Sequence, residues 1–194
     1  MMKLKIAVLP GDGIGPEITE QAVKILKSIA DRFDHDFHFE EAAVGAIAID
    51  KYNNPLPEAT LDLCKESDAV LFGAIGHPKY DNDPSAKIRP EQGLLRLRKE
   101  LGLFSNIRPV TTYSELIEMS PLRPERIEGV DMVIYRELTG GIYFGDKSLN
   151  EAGTSATDVC TYSVMEIERI AHLAFKAAQK RRKKLTLVDK ANVL

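Results

Sequence analysis

Residues 4–17 read LKIAVLPGDGIGPE and decide the fold class. The apolar run 4–9 has the length of a buried parallel strand, and it stops at a cluster of turn residues. Pro16 then occupies a favoured first position of a helix, and apolar residues continue at helical spacing as far as Ile29. A strand, a tight turn and a helix in direct succession predict the first unit of an α/β sheet.

The turn itself carries three glycines, Gly11, Gly13 and Gly15, in the spacing GxGxG. Dinucleotide-binding turns use GxGxxG instead, and Pro16 removes one backbone donor from the helix start. Backbone N–H groups at such a place can face an anion, but a simple tight turn explains the glycines equally well. Taken alone, the glycine motif is therefore only weak evidence for an anion-binding site.

Strand and helix patterns continue to alternate along the chain. Further strands are predicted at 37–43, 69–72, 106–110, 130–135 and 185–188. Helices are predicted from 56–58 onwards, around 93–100 and over 164–180. Residues 77–90 are polar and rich in Pro, Asp and Asn, which indicates a long and functional loop.

Composition excludes several classes of protein. The 194 residues are 44% hydrophobic and 28% charged, with a formal net charge of −3, so there is no overall positive field for nucleic acid. No stretch reaches the ~20 apolar residues of a membrane span. Cys64 and Cys160 are isolated, as in a reducing compartment. We expect a soluble cytoplasmic protein without nucleic-acid or membrane partners.

Three arginines stand at the ends of predicted elements: Arg98 on a leucine-rich helix, Arg108 on one strand and Arg136 on the next. Arginine binds carboxylates through two parallel hydrogen bonds, so a convergence of these groups would suit a substrate with two carboxylates. The alternative is that each is an ordinary solvated arginine.

Residues 136–145, RELTGGIYFG, are the densest group of candidate functional residues. Gly140 and Gly141 permit a sharp reversal of the chain. Tyr143, beyond that reversal, could supply a phenolic proton beside a bound anion. The alternative is a hairpin that carries a core tyrosine.

Lys190 directly follows the predicted strand 185–188, and a partly desolvated lysine there could act as a base. A solvated loop lysine is the alternative. The basic run 180–184 is interpreted as a solvated helix end, because no aromatic residues interleave with it. The four histidines have no metal-ligand spacing.

Several of these segments together resemble one family, the isocitrate/isopropylmalate family of β-decarboxylating dehydrogenases, and most closely its isopropylmalate-oxidising members. The resemblance runs from the first strand to the last residue. It rests on LPGDGIGPEI (9–18), LFGAIGHPKYD (71–81), RPEQGLLRLRKELGLFSNIRP (89–109), RELTGGIYFG (136–145) and VDKANVL (188–194).

The resemblance implies roles for the substrate-binding residues. Arg98, Arg108 and Arg136 would hold the substrate carboxylates. Leu94 and Leu95 would form an apolar surface for the isopropyl group, where an isocitrate-oxidising enzyme would place a polar residue. A few methylenes contribute only ~1–3 kcal/mol of discrimination, but the lack of a polar partner at these two positions argues against isocitrate.

The resemblance also implies the catalytic and cofactor-binding residues. Lys190 would remove the proton of the C2 hydroxyl, and Tyr143 would protonate the enol that follows decarboxylation. The cofactor would be bound by Gly76, His77, Pro78, Lys79, Glu91 and Asn192.

The reaction that the resemblance implies is the NAD-dependent oxidative decarboxylation of 3-isopropylmalate to 4-methyl-2-oxopentanoate in leucine biosynthesis. A divalent Mg²⁺ or Mn²⁺ ion would act as a Lewis acid. A homodimer is expected, because the lysine of one subunit would serve the site of the other. A tartrate/malate-type or homoisocitrate-type dehydrogenase is the alternative within the family.

The resemblance implies the α/β fold of this family, which is not a standard Rossmann fold. In it, residues 1–97 would begin the cofactor-side domain and residues 98–194 the substrate and dimerisation domain. The sequence stops soon after the predicted strand 185–188, so we expect a truncated chain. No metal ligand can be assigned in it, and the metal-binding aspartates would follow Leu194. The 194 residues alone are therefore expected to be inactive. A non-catalytic truncated paralogue that binds a dicarboxylate or a partner is the alternative of a different class.

Overall fold

In the computed structural model, strand β1 (Lys3–Gly11) is the centre of a three-stranded sheet in the order β2–β1–β3. Strands β2 (Asp36–Glu41) and β3 (Ala69–Ala74) both pair with it in parallel. The structure describes residues 1–83 and 85–189, so Lys190 and Asn192 lie outside the described residues. Two units are distinguished, Met1–Leu101 and Gly102–Leu194. The domain division at 97/98 stays a prediction.

Helices connect the parallel strands of the first unit, as parallel pairing requires. Helix α1 (Gly15–Phe33) connects β1 to β2, and α2 (Ala46–Tyr52) and α3 (Glu58–Lys65) connect β2 to β3. Helices α4 (Pro78–Asp81) and α5 (Pro90–Glu100) follow β3. The core of this unit is formed by Ala7, Leu9, Val44, Leu56, Leu61, Leu63, Cys64 and Leu97. Because Leu97 belongs to this core, α5 is fixed to the first unit.

The glycines of the first turn have a packing role. A Cβ on Gly11, whose φ is +72°, would overlap the carbonyl oxygen of Ala74 on the neighbouring strand. A Cβ on Gly15 would overlap the carbonyl oxygen of Pro10. Close approach of β1, α1 and β3 therefore accounts for these glycines, as the tight-turn interpretation expects.

The second unit contains two antiparallel strand pairs. Strands β4 (Ser105–Thr111) and β5 (Asp131–Glu137) form a ribbon, and β6 (Lys147–Leu149) and β7 (Ala156–Asp158) form a short exposed hairpin. Helix α6 (Pro124–Ile127) is a single turn, and α7 (Val164–Gln179) packs against β5. Two 3₁₀ turns, Ser114–Met119 and Gly141–Tyr143, complete the unit.

Three sequence-based expectations about the fold are wrong. Residues 185–188 form no strand: Leu187 and Val188 are 87% and 91% exposed, and no described strand pairs with them. A strand needs a neighbour for its backbone hydrogen bonds, and an apolar composition does not supply one. Helix α4 interrupts the predicted loop 77–90. Helix α5 begins at Pro90 and not near 93, because Pro90 suits a first helical position and the Gln92 side chain accepts a bond from the backbone N–H of Arg89.

Candidate active site

The register of the β4–β5 ribbon places Arg108 and Arg136 on one face. Asn106 lies opposite Arg136, and Arg108 lies opposite Ile134. Since side chains alternate along a strand, these four residues point to the same side of the ribbon. Both arginines are exposed, so this side presents two cations to solvent.

Local contacts orient these cations. The Nε–H of Arg108 donates to Asn106 Oδ1 at 2.8 Å. The guanidinium carbon of Arg136 lies 5.1 Å from the centroid of the Tyr143 ring, within the range of a cation–π contact. Tyr143 is 49% exposed, so the alternative of a core tyrosine is wrong. The ribbon therefore brings two guanidinium groups and one phenol to a single open face.

The opposite face of the ribbon is covered by α7, and it carries an ion pair. Arg169 donates to the Glu137 carboxylate from Nε at 3.1 Å and from Nη2 at 2.6 Å. Thr139 donates to the same carboxylate through its backbone N–H and its hydroxyl, both at 3.0 Å. Burial raises the pKa of Glu137, but the hydrogen bonds from Arg169 and Thr139 together lower it below its usual value.

The turn between Arg136 and Tyr143 has no room for side chains on its inner side. Gly141 has φ = +73°, and a Cβ there would overlap the phenol oxygen of Tyr162. A Cβ on Gly140 would lie 2.9 Å from Glu166 Oε1 of α7. The positive φ of Gly141 favours glycine at that position, and Gly140 permits the close approach of the Glu166 side chain. The chain then enters the 3₁₀ turn that carries Tyr143.

The predicted cofactor loop of the first unit starts beside a buried carboxylate. Asp12 is 5% exposed, and its Oδ2 accepts the backbone N–H groups of Ala46 at 2.9 Å and Gly76 at 3.1 Å. Its Oδ1 accepts the N–H of Ile47 at 3.1 Å. Asp12 thus caps the start of α2 and ties Gly76 to it.

The rest of this loop is ordered by short-range contacts. His77 caps α4, because its Nδ1 accepts the backbone N–H of Lys79 at 3.1 Å, and Pro78 is the first residue of that helix. Lys79 Nζ donates to Asp50 Oδ1 at 2.6 Å, and the Tyr80 hydroxyl donates to the same oxygen at 2.8 Å. These two bonds hold the pKa of the Asp50 carboxyl below its usual range, and the bond from Lys79 has the larger effect.

Helix α5 carries four of the predicted site residues on one stripe. Glu91, Leu94, Leu95 and Arg98 follow the three- and four-residue spacing of a helix face. This stripe is separate from the buried one, which contains Pro90, Gly93 and Leu97. Leu94, Leu95 and Arg98 are half-buried, and a Cβ on Gly76 would lie 3.5 Å from Glu91 Oε1. Glu91 is therefore a neighbour of the loop 76–79.

Sequence reasoning missed Asp12, Asp50 and the pair of Glu137 with Arg169. Asp12 had one usable signal, an acidic residue inside a glycine turn. The other contacts join residues 29 to 32 positions apart, and no local pattern marks them.

Comparison with known proteins identifies the family. Residues 5–194 match the profile of the isocitrate/isopropylmalate dehydrogenase family. The chain belongs to that family. The family that the sequence motifs predicted is thus confirmed, together with its α/β fold.

Family relatives include the 3-isopropylmalate dehydrogenases of Bacteroides fragilis, 56% identical over 193 residues, and of Bacillus subtilis, 53% identical over 197 residues. Each match takes in 100% of this chain and 54% of the relative. The chain thus spans about half the length of the curated relatives it matches.

Two solved structures of the family share this architecture. A β-decarboxylating dehydrogenase from Thermococcus kodakarensis has a TM-score of 0.68 and 35% identity, covering 98% of this chain and 50% of that one. An isocitrate dehydrogenase from Methylococcus capsulatus has a TM-score of 0.74 and 27% identity, covering 92% and 48%.

Within residues 1–83 and 85–189, no three His, Cys, Asp or Glu side chains cluster as a metal ion would require. The described residues therefore do not by themselves fit the divalent metal ion that the resemblance implies. In the same part of the chain, no helix is long and apolar enough to cross a membrane.

Proposed function

We propose that this chain supplies part of the active site for the oxidative decarboxylation of 3-isopropylmalate to 4-methyl-2-oxopentanoate. One observation carries the proposal: Arg108, Arg136 and Tyr143 lie on the same open face of the β4–β5 ribbon. The relatives that are more than half identical to this chain and are named 3-isopropylmalate dehydrogenases support the choice of substrate.

In this proposal the two arginines bind and orient the dicarboxylate. Each guanidinium offers parallel donors to one carboxylate, which fixes the substrate more firmly than a point charge would. NAD, when bound, supplies the acceptor for the hydride that leaves C2. We assign the cofactor contacts to Gly76, His77, Pro78, Lys79 and Glu91 in the first unit. The assignment is supported by the positive-φ glycine at 76, which lies beside the Glu91 carboxylate.

Tyr143 then acts as the proton donor. After the hydride and the hydroxyl proton have left C2, the bond from C3 to its carboxylate breaks, CO₂ leaves, and the electron pair of that bond forms an enolate. Tyr143 gives its phenolic proton to C3 of that enolate, which restores the 2-oxo group. The Arg136 cation, 5.1 Å from the ring, stabilises the phenolate that remains. No step through a metal is assigned to the described residues.

The remaining predicted residues complete the proposed site. Leu94 and Leu95 contribute apolar surface for the isopropyl group, and Arg98 a third guanidinium. Lys190 and Asn192, as base and nicotinamide contact, are carried over from the resemblance alone. The use of NAD, the divalent Mg²⁺ or Mn²⁺, the homodimer and the cytoplasmic location belong to the same proposal.

The decisive assay measures NADH formation by the full-length gene product with 3-isopropylmalate, NAD and Mg²⁺. Isocitrate, tartrate, malate and homoisocitrate serve as competing substrates. We expect the highest kcat/KM with 3-isopropylmalate. Turnover restricted to another member of the panel would refute the proposed substrate, and binding without turnover of any would favour the non-catalytic alternative.

Arg136→Met tests the role of the ribbon. Loss of a hydrogen bond between charged groups costs about 1.5–3 kcal/mol, so kcat/KM should fall about 10- to 150-fold. Arg126→Met, which removes an exposed arginine of α6, is the control and should leave kcat/KM unchanged. An equal fall in kcat/KM in Arg136→Met and Arg126→Met would refute the substrate-binding role of Arg136.

A further inference from the structure

Helix α7 holds the segment that joins the substrate-binding strand to the tyrosine. Arg169 binds both oxygens of Glu137, the residue directly after Arg136. Its Nη2 also donates to the Thr139 hydroxyl at 2.5 Å. One guanidinium thus contacts two positions of the short segment between Arg136 and Tyr143.

The guanidinium of Arg169 also contacts an aromatic ring. Its carbon lies 4.7 Å from the centroid of the Phe104 ring, a cation–π distance. Phe104 in turn accepts the backbone N–H of Leu138 through its carbonyl oxygen at 2.8 Å. The side chains of Arg169 and Glu137 are only 25% and 8% exposed, so solvent screens this ion pair little.

We infer that Arg169 is a positioning residue, which sets the place of Tyr143 relative to Arg136 without touching the substrate. The inference rests on the proposed function of these two residues. Arg136 is held independently by its ladder pairing with Asn106, whereas Tyr143 lies beyond the turn that Arg169 fixes. Loss of Arg169 should therefore displace the proton donor more than the carboxylate-binding group.

This difference predicts a split between two kinetic constants. Substrate binding relies on Arg108 and Arg136, so KM should change by less than about threefold. Misplacement of a catalytic group by about 1 Å can cost on the order of 10² in rate, so kcat should fall about 10- to 100-fold in Arg169→Met.

A matched control exists at the far end of the same strand. Arg181 Nη2 lies 2.6 Å from Asp131 Oδ1, so it also pairs with a carboxylate of β5. Asp131 is the first residue of β5, whereas Glu137, at the turn, is the last. The pair of Arg181 with Asp131 is more exposed than that of Arg169 with Glu137, and Arg182 also contacts Asp131. Arg181→Met therefore removes an arginine–carboxylate contact of the same strand without affecting the turn, and it should leave kcat unchanged.

Arg169→Lys separates positioning from stability. Lysine keeps the charge and most of the stem but cannot form the two parallel bonds to Glu137. We expect its thermal stability to return close to that of the wild type while kcat stays clearly reduced. Full recovery of kcat in this variant would show that only charge matters, and would overturn the inference.

The experiment combines steady-state kinetics of the full-length protein with amide hydrogen exchange over residues 137–145. Faster exchange of this segment in Arg169→Met, together with a fall in kcat, supports the inference. Unchanged exchange, a loss carried wholly by KM, or an equal loss in Arg181→Met would each overturn it. If the wild-type protein fails to oxidise 3-isopropylmalate, the proposed function fails, and the exchange result still decides whether Arg169 orders the turn.

Discussion

Removal of the Asp12 carboxylate should destabilise the first unit more than any ordinary surface change. In Asp12→Ala, the backbone N–H groups of Ala46, Ile47 and Gly76 lose acceptors at 2.9, 3.1 and 3.1 Å. The loss of a helix cap costs about 1 kcal/mol, and each hydrogen bond to a charged group contributes about 1.5–3 kcal/mol. The three contributions are not fully additive, because the bonds share one side chain and water can partly replace the lost acceptor. We expect a loss of about 3 kcal/mol.

Urea denaturation followed by circular dichroism measures this change in the free energy of unfolding. Asp12→Asn keeps one acceptor oxygen but turns an amide N–H₂ towards backbone donors, so about half of the loss should remain. Asp31→Ala, at an exposed position of α1, is the control. Surface substitutions change stability by about 0.5 kcal/mol or less. A loss of that size in Asp12→Ala would refute the assigned role of Asp12.

Two further outcomes follow from the second unit. Gly141→Ala should lower Tm more than Gly153→Ala. Both glycines have positive φ, but a Cβ at 141 would meet the Tyr162 side chain, whereas nothing lies within 4 Å of a Cβ at 153. Equal shifts of Tm in a thermal scan would contradict this prediction. Glu137 has a pKa lowered from 4.5, so its contribution to stability is present above pH ~4.5 and is lost as pH falls through the lower folded-state pKa. Glu137→Gln should therefore flatten the fall in stability below pH ~4.5 in acid titrations, and an unchanged slope would contradict the assignment.

The parts of the fold that sequence alone could predict are those set by local patterns. The apolar run 4–9, the glycine turn and Pro16 specify β1, the reversal and α1 within a few residues of each other. Helix α2 escaped prediction, because the side chain that caps it belongs to Asp12, which is 34 residues earlier in the chain. Residues 185–188 show the converse, because this apolar run forms no strand when no described strand pairs with it.

The candidate site likewise has residues that local sequence patterns reveal and residues that they do not. Arg108, Arg136 and Tyr143 could be selected from sequence, because arginines at strand ends and a tyrosine after a glycine pair are visible in the letters. Their common face depends on the register of β4 with β5, which places Asn106 opposite Arg136. Arg169 could not be selected, because a single arginine on a long amphipathic helix resembles any solvated one until its partner 32 residues away is known.

The Asp12 carboxylate has a consequence for the motions of the first unit. It joins three stretches of chain that are far apart in sequence, the first turn, the start of α2 and the glycine that begins the loop 76–79. An outward movement of that loop breaks the bond from the Gly76 N–H to the buried Asp12 carboxylate, and fraying of α2 breaks the bonds from Ala46 and Ile47. The two fluctuations therefore share a single energetic cost, and the loop and the helix behave as one cooperative opening unit.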